Sequence, residues 1–298
     1  MRIATHTISD NVIRQIQKLN TDQTRLQQQV STGQRIHLPE DDPAATGRVL
    51  HLQTQQRQVT QWDRNASRAQ ELAQSSYSGL NSLKTVSARA GELSTLGAGS
   101  LGLDAMQAYA SEAGQLIEHT LQVANAKFGE DYVFAGTAVD TPPFTATRDA
   151  SGQITGVTYV GNNSTAGISL SESTVVSPLT NGTTNAGIAD FLNQLIALRD
   201  SLTSGDSDAV RTTQATLASS EDTIVNAIAD NGGVQARIEA AQALHTGRAT
   251  SLESLISHET DADLPSVIVK LKQTQSAYEA ALQSGASIMQ LSLLDYIN

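Results

Sequence analysis

Six histidines, one glycine run and one acidic triplet are the residues of this sequence whose types and spacing could do chemistry. His6, His37, His51, His119, His245 and His258 would suit a metal, because neutral imidazole is a common ligand. None of them falls into an HxxxH or HExxH pattern, and the chain has no cysteine to complete a site. Gly97-Ala98-Gly99-Ser100-Leu101-Gly102 matches GxGxxG, in which glycines let a backbone approach pyrophosphate between a strand and a helix. A long helical pattern precedes it here and no strand–helix–strand unit surrounds it, so the run reads as a loop. Glu40, Asp41 and Asp42 could hold a hard cation or act as catalytic carboxylates, but that chemistry needs a pocket with convergent partners. A helix beginning just after them accounts for the same charges without further residues. No set combines a nucleophile, a base and an orienting partner, so the expectation is a protein that is no enzyme and takes no metal or cofactor.

Composition narrows the alternatives. The net charge of −11 argues against nucleic acid, whose affinity comes largely from Lys and Arg neutralising phosphates. No stretch reaches the roughly 20 apolar residues of a membrane span. The nearest, Ala280 to Leu294, is broken by Gln283, Ser284, Ser287, Gln290 and Ser292. The N-terminal residues have neither a continuous apolar core nor a small-residue cleavage site, so nothing argues for a cleaved secretory signal. Absence of cysteine excludes disulfides and thiol catalysis. Aromatic residues are only 4% and charged residues 16%, so small side chains must do much of the packing. The sequons at Asn65, Asn163 and Asn181 read as coincidental in a chain without such a signal. Trp62, the sole tryptophan, falls on an apolar helix face and is expected in a core.

What remains is a pattern of elements. Val12, Ile16, Leu19, Leu26 and Val30 follow alternating steps of three and four, with Gln23 interrupting the seam. Leu271, Tyr278, Leu282 and Met289 continue the same step near the other end, with Gln275 in the gap. Their outer faces are rich in Gln, Ser, Thr and Ala, and from Gln273 to Leu294 the only charge is Glu279. Such surfaces lose little hydration when covered on several sides, which suits helices that stay unpaired until copies assemble. Residues 1–60 carry seven basic against five acidic side chains, a net of +2, and residues 253–298 two against six, a net of −4. The two ends should therefore attract weakly.

Gly33 ends the first run as a C′ residue, Asp42 is a good N-cap and Pro43 suits the first helical position. Arg35, between them, is either a surface residue favoured by a helix C-terminus or holds the turn by pairing with Asp41 or Asp42. From Pro43 to about Leu96 the pattern is helical almost without interruption, a rod of roughly 80 Å at 1.5 Å per residue. Another helix is expected over Met106 to Phe128. Short strand candidates follow at Tyr132-Val133-Phe134, Val157 to Val160 and Ile168-Ser169-Leu170, bounded by Gly and Pro. Helical pattern resumes over Ile188 to Leu202 and from Ala209. Whether the last long helix is continuous through Gly232-Gly233 stays open. A second acidic turn, Asp261-Ala262-Asp263-Leu264-Pro265, precedes the final helix. The expected fold is mainly α with a small β-rich middle domain, its N- and C-terminal segments forming a long antiparallel bundle or coiled coil. The segments are a tail helix and turn (1–42), a helical half-rod (43–130), a β-rich outer domain (131–187), a second half-rod (188–260) and a C-terminal tail (261–298).

Those turns carry a resemblance. Val30-Ser31-Thr32-Gly33-Gln34-Arg35-Ile36, followed by Asp41-Asp42-Pro43-Ala44-Ala45, resembles the N-terminal signature of bacterial flagellins and their junction relatives. Asp261 to Leu264 and the Leu291 to Leu294 run resemble the C-terminal signature. Tyr132-Val133-Phe134-Ala135-Gly136-Thr137 with Asp140-Thr141-Pro142-Pro143-Phe144 is similar to a segment of the hook-associated, hook–filament junction branch, which flagellin lacks. The resemblance implies terminal helices forming the inner tube of an axial structure, long helices around it and the β domain outermost. It also implies export by the flagellar type III apparatus, so that the protein ends up extracellular, in the bacterial flagellum. A cytoplasmic export chaperone would hold the C-terminal helix. Other implied partners are further copies in a helical ring, a neighbouring hook-associated protein on the hook side and flagellin on the filament side. A flagellin-type filament subunit and an intracellular coiled-coil scaffold are the competing readings.

Overall fold

A computed structural model describes the backbone of residues 2–99 and 102–297 and the side chains of residues 10–99 and 102–287. Six helices and three short antiparallel hairpins make up the described residues. In chain order they are α1 (Arg2–Thr32), α2 (Pro43–Gly97), α3 (Leu103–Ala124), β1 (Lys127–Phe128), β2 (Asp131–Tyr132), β3 (Phe144–Arg148), β4 (Ile154–Tyr159), β5 (Ile168–Ser169) and β6 (Val175–Val176). They are followed by α4 (Gly182–Ser204), α5 (Ser207–Thr260) and α6 (Leu264–Ile297). The elements fall into two compact units, Gln58–Arg248 and the pair of terminal stretches Met1–Arg57 and Ala249–Asn298. The tail segments therefore share a unit with the start of α2 and the end of α5.

The unit 58–248 is organised around α4. This helix buries residues on nearly every side, among them Ile188, Phe191, Leu192, Leu195, Leu198 and Leu202, which is the signature of a central rather than a surface helix. Around it pack Leu80, Leu83, Ala90 and Leu93 of α2, Met106, Ala113 and Ile117 of α3, and Val210, Leu217 and Ile224 of α5. Each fully buried large side chain contributes about 2 kcal/mol. A smaller cluster joins Ala66, Ala69 and Ala73 of α2 to Ile238 of α5 and to Leu170 and Val176 beside the last hairpin. Small residues on α2 allow the close approach that a chain so poor in aromatics requires.

α4 opens at Gly182, earlier than the apolar pattern alone indicates, because the Asn181 side chain accepts the Thr184 N–H at 2.8 Å and caps it. α5 runs unbroken through Gly232-Gly233. The glycines cost it about 1 kcal/mol each relative to alanine, and the packing of Asn231 and Ile238, both buried, outweighs that. Strand pairing at Tyr132 ends where a strand through Phe134 was expected. Val133 and Phe134 instead turn into the core, and Phe134 is fully buried.

The hairpins are too short to satisfy themselves, and side-chain amides complete them. Asn125 accepts the Phe144 N–H at 3.0 Å and donates to its carbonyl at 2.9 Å, and Asn193 brackets Val157 in the same way at 2.9 Å each. Each amide thus stands in for a missing neighbouring strand. Asn185, fully buried, donates to the Phe134 carbonyl at 2.8 Å and to the Tyr159 hydroxyl at 3.3 Å. Asn185→Ala leaves that carbonyl buried and unpaired, so a loss of about 2–3 kcal/mol is expected in urea unfolding. A change within the scatter of surface substitutions would show that water replaces the amide.

Candidate assembly surface

The two acidic turns meet. Gly33 adopts φ 71° and ends α1, its N–H donating to the Gln29 carbonyl at 2.9 Å. Beyond it, the Arg35 N–H donates to the Thr260 carbonyl at 2.6 Å and the Ala262 N–H to the Gly33 carbonyl at 2.8 Å, forming an isolated antiparallel bridge between Gln34 and Asp261. Arg35 holds the turn through two further contacts. Its Nη1 donates to Asp42 Oδ2 at 3.2 Å, and its Nη2 to the Glu259 carbonyl at 2.8 Å, a free acceptor in the last turn of α5. The Arg35 carbonyl in turn accepts from Gln29 Nε2 at 2.9 Å. Arg48, one turn into α2, makes a bidentate pair with the Glu259 carboxylate, 2.9 Å on each side. The hydroxyls of Ser257 and Thr260 both donate to Asp261.

The acidic residues divide the remaining work. Asp41 Oδ2 accepts the backbone N–H groups of Leu38 and His37 at 2.8 and 3.0 Å, and these bonds hold its carboxyl below the usual range. Asp42 Oδ1 caps α2 by accepting the Ala45 N–H at 2.9 Å, and that bond, followed by the Arg35 contact, lowers Asp42 likewise. The Arg48 contact lowers Glu259 and raises Arg48. Because these folded-state carboxyl pKa values are depressed, the stabilisation is complete above the ordinary carboxylate pKa of about 4 and fades as pH falls through the lower folded values. The stability difference between the wild type and Asp41→Asn should therefore be constant at neutral pH and vanish in strong acid. A constant difference down to about pH 2 would contradict the assignment.

The tails themselves pair. As α1 runs back from Gln34 to Val12, α6 runs forward from Asp261 to Gly285 over nearly the same number of residues, so the helices lie antiparallel. A Cβ on Gly285 would stand 3.3 Å from Val12 and 3.5 Å from Ile16. The N- and C-terminal segments thus form the antiparallel pair expected from the sequence, and each helix covers part of the other's seam. Leu26 on α1 and Val267 on α6 are 8% and 9% exposed, whereas Val12, Ile16, Leu19, Val30, Leu271 and Tyr278 are half-buried. Leu282 lies off the seam and is 45% exposed. The seam instead follows Val267, Leu271, Thr274, Tyr278, Ala281 and Gly285, all at least partly buried. Met289 and the Leu291 to Leu294 run lie outside the described side chains. Ile13, Ile268 and Val269 remain exposed with Leu282, leaving apolar surface on the outside of the pair.

The remaining chemical candidates stay separate. Among the described residues no group of three or more His, Asp or Glu could hold a metal ion, and no helix is long and apolar enough to cross a membrane. Ser100 and Leu101 of the glycine run lie outside the described residues, and His6 outside the described side chains. His37, His51, His119 and His258 are exposed. Trp62 is half-buried rather than a core residue and stacks on the buried His245, with ring centroids 6.1 Å apart. A half-open cavity of about 390 Å³ is lined by Gln107, Ser111, Gln115, Glu118, Gln153 and Arg199, among others. Its charged groups are engaged, Glu118 by Arg148 and Arg199 by Asp200 and the Ile154 carbonyl.

The bacterial flagellin N-terminal helical region matches this sequence over residues 3–139. No curated protein sequence matches it. Among solved structures, one described as a flagellar hook-associated protein from Vibrio parahaemolyticus is 17% identical, covers 74% of this chain and 100% of its own, and gives a TM-score of 0.66. FlgL from Bacillus cereus is 18% identical over 70% of this chain and 99% of its own, with a TM-score of 0.61. FlgL from Xanthomonas campestris is 15% identical over 67% and 97%, with a TM-score of 0.56. The shared property at these identities is the fold.

Proposed function

We propose that this chain, which carries a flagellin-type N-terminal helical region in the fold of FlgL proteins, is a structural subunit of the bacterial flagellum that joins hook to filament and has no catalytic role. The observation that carries the reading is the tail pair, stapled at its base by two signature turns and bearing exposed apolar residues, with a stretch from Gln273 to Leu294 whose only charge is Glu279. Covering such residues by neighbouring copies stabilises at about 25 cal/mol per Å² of apolar surface, with little charge to dehydrate. Val12, Ile16, Leu19, Leu26, Val30, Leu271 and Tyr278 build the pair, Met289 continues their spacing in the sequence, and Leu282 with its exposed neighbours offers the contact to other subunits. Head-to-tail contacts that do not close on themselves give a helical ring or tube. The partners in this reading are further copies of the chain, a hook-associated protein on the hook side, flagellin on the filament side and an export chaperone at the C-terminal helix. Arrival outside the cell follows export through the flagellar type III apparatus.

Labelled antibody on isolated flagella tests this directly. Label at one point, where hook gives way to filament, is the expected result. Label along the whole filament would instead favour the flagellin-type subunit, which the match to the flagellin N-terminal region keeps as the second reading. Absence from sheared flagella would leave only an intracellular scaffold.

A further inference from the structure

We infer that the cavity walled by α3, the β3–β4 turn and α4 is a binding site for a neutral, hydroxyl-rich ligand the size of one sugar residue. This goes beyond the assembly role, which does not depend on it.

The cavity has a shape that the chain maintains at some cost. Its volume of about 390 Å³ lies within the roughly 300–1,000 Å³ of small-molecule sites. Gln107, Ser111, Gln115 and Glu118 follow steps of four, four and three, so α3 presents them to the cavity as one polar face. Gly114 lies among them, and a Cβ added to it would meet nothing within 4 Å. A glycine inside a helix costs about 1 kcal/mol relative to alanine, and none of the described residues comes close enough to require this one. Its effect is to keep the space in front of α3 clear.

The other walls are held rigid by the chain itself. Asp149 Oδ1 accepts the N–H groups of Ser151 and Gln153 at 2.9 Å each, closing the β3–β4 turn. Arg148 ties that turn to α3, donating to the Gly152 carbonyl and to Glu118 Oε2 at 2.9 Å each. On α4, Arg199 is only 7% exposed and donates to Asp200 through Nε and Nη2 and to the Ile154 carbonyl through Nη1. A guanidinium has five N–H groups; these bonds use three of them and leave two for a ligand. Walls fixed in advance lose little freedom on binding.

Their chemistry selects the ligand. The carboxamides of Gln107, Gln115 and Gln153 and the Ser111 hydroxyl bond no other described residue, and each offers both a donor and an acceptor. A sugar hydroxyl matches that double capacity, whereas a carboxylate or phosphate only accepts. Charge points the same way. Arg148 is paired with Glu118 and Arg199 with Asp200, so the site has no net charge to attract an anion. Ile117 and Ile154, both buried, give the C–H face of a sugar ring apolar surface to rest on. No aromatic ring joins them in the lining, so dissociation constants of about 1–10 mM are expected.

Titrating the isotope-labelled full-length protein with methyl α-glucoside, methyl α-galactoside and methyl α-mannoside, while following amide resonances, tests the assignment. At least one glycoside should shift the Gly114 and Gly152 amides saturably, and glucuronate should bind no tighter. Gly114→Leu fills the cavity from a position with room for its Cβ, so it should keep the melting temperature and weaken binding by about tenfold or more. Gln115→Ala should weaken it by about threefold, the change expected for one neutral hydrogen bond. No saturable shift with any glycoside at about 50 mM, well above the expected dissociation constants, would overturn the inference. A response unchanged in Gly114→Leu would place the sugar elsewhere and overturn it equally. Tighter binding of glucuronate would overturn the assignment to a neutral ligand. The titration uses no flagella, so its failure leaves the junction role to the antibody experiment.

Discussion

Deleting residues 1–30, or the chain from Pro265 onward, leaves a folded protein that no longer assembles. The core around α4 draws on α2 beyond Leu80, on α3, on the hairpins and on α5 up to Ala227, and none of its side chains belongs to α1 or α6. Its melting temperature should therefore stay within a few degrees of the parent, because a loss of about 1 kcal/mol shifts a unit of this size by only about 2–4 °C. The surviving tail fares differently. Without α6, the half-buried Val12, Ile16 and Leu19 lose the helix that covers them. Without α1, so does Tyr278. A lone helix of modest propensity is marginal in water, so the remaining tail should lose its amide-exchange protection, and cells making the truncated protein should carry hooks without filaments. Normal filaments in such cells would show that the tails are dispensable and remove the basis of the proposed role.

The parts of this fold that were legible in the sequence are those in which one helix face meets one core. The three-and-four spacing of Met106, Ala110, Ala113, Ile117, Thr120 and Ala124 marks the buried face of α3, and the same logic exposes α2 and most of α5. The tail seam was legible on α1 and misread on α6. Hydrophobicity ranks Leu282 above Ala281 and Gly285, but a close helix pair is built from the small residues, and Leu282 is left outside. The ends of the turns were readable at Gly33, Asp42 and Pro43, since a left-handed C′ position, a cap and a first helical position each demand particular residues. Arg48 and Glu259 carry no local signal, because their pairing depends on two turns distant in sequence closing on each other. The hairpins were partly hidden for a related reason. β1 and β6 are two residues long, and the edges of β3 and β4 are held by Asn125 and Asn193, whose sequence contexts resemble any polar helix position.

Gly136→Ala should be among the most destabilising single substitutions in the unit 58–248, costing about 3 kcal/mol or more. Gly136 has φ 69°, where a side chain costs about 1–2 kcal/mol before it touches anything. Here it would touch backbone, since an added Cβ meets the Asn162 carbonyl and Oδ1 at 2.5 Å and the Ser164 carbonyl at 2.8 Å. Those oxygens cannot step aside cheaply. Asn162 Oδ1 accepts the Thr137 N–H at 2.9 Å, its Nδ2 donates to the Thr137 hydroxyl at 2.6 Å, and its carbonyl accepts the Tyr159 hydroxyl at 2.9 Å. Tyr159 in turn meets Asn185 and the core ring of Phe144. Strain at Gly136 therefore reaches the turn after β2, the end of β4 and the start of α4 together. A fall in melting temperature of roughly 6–12 °C is expected. Gly152→Ala supplies the comparison. Its φ of 86° carries the same left-handed penalty, but nothing lies within 4 Å of an added Cβ, so about 1–2 kcal/mol is expected. Equal losses for the two variants would mean that conformation alone, and not the Asn162 cradle, makes Gly136 necessary.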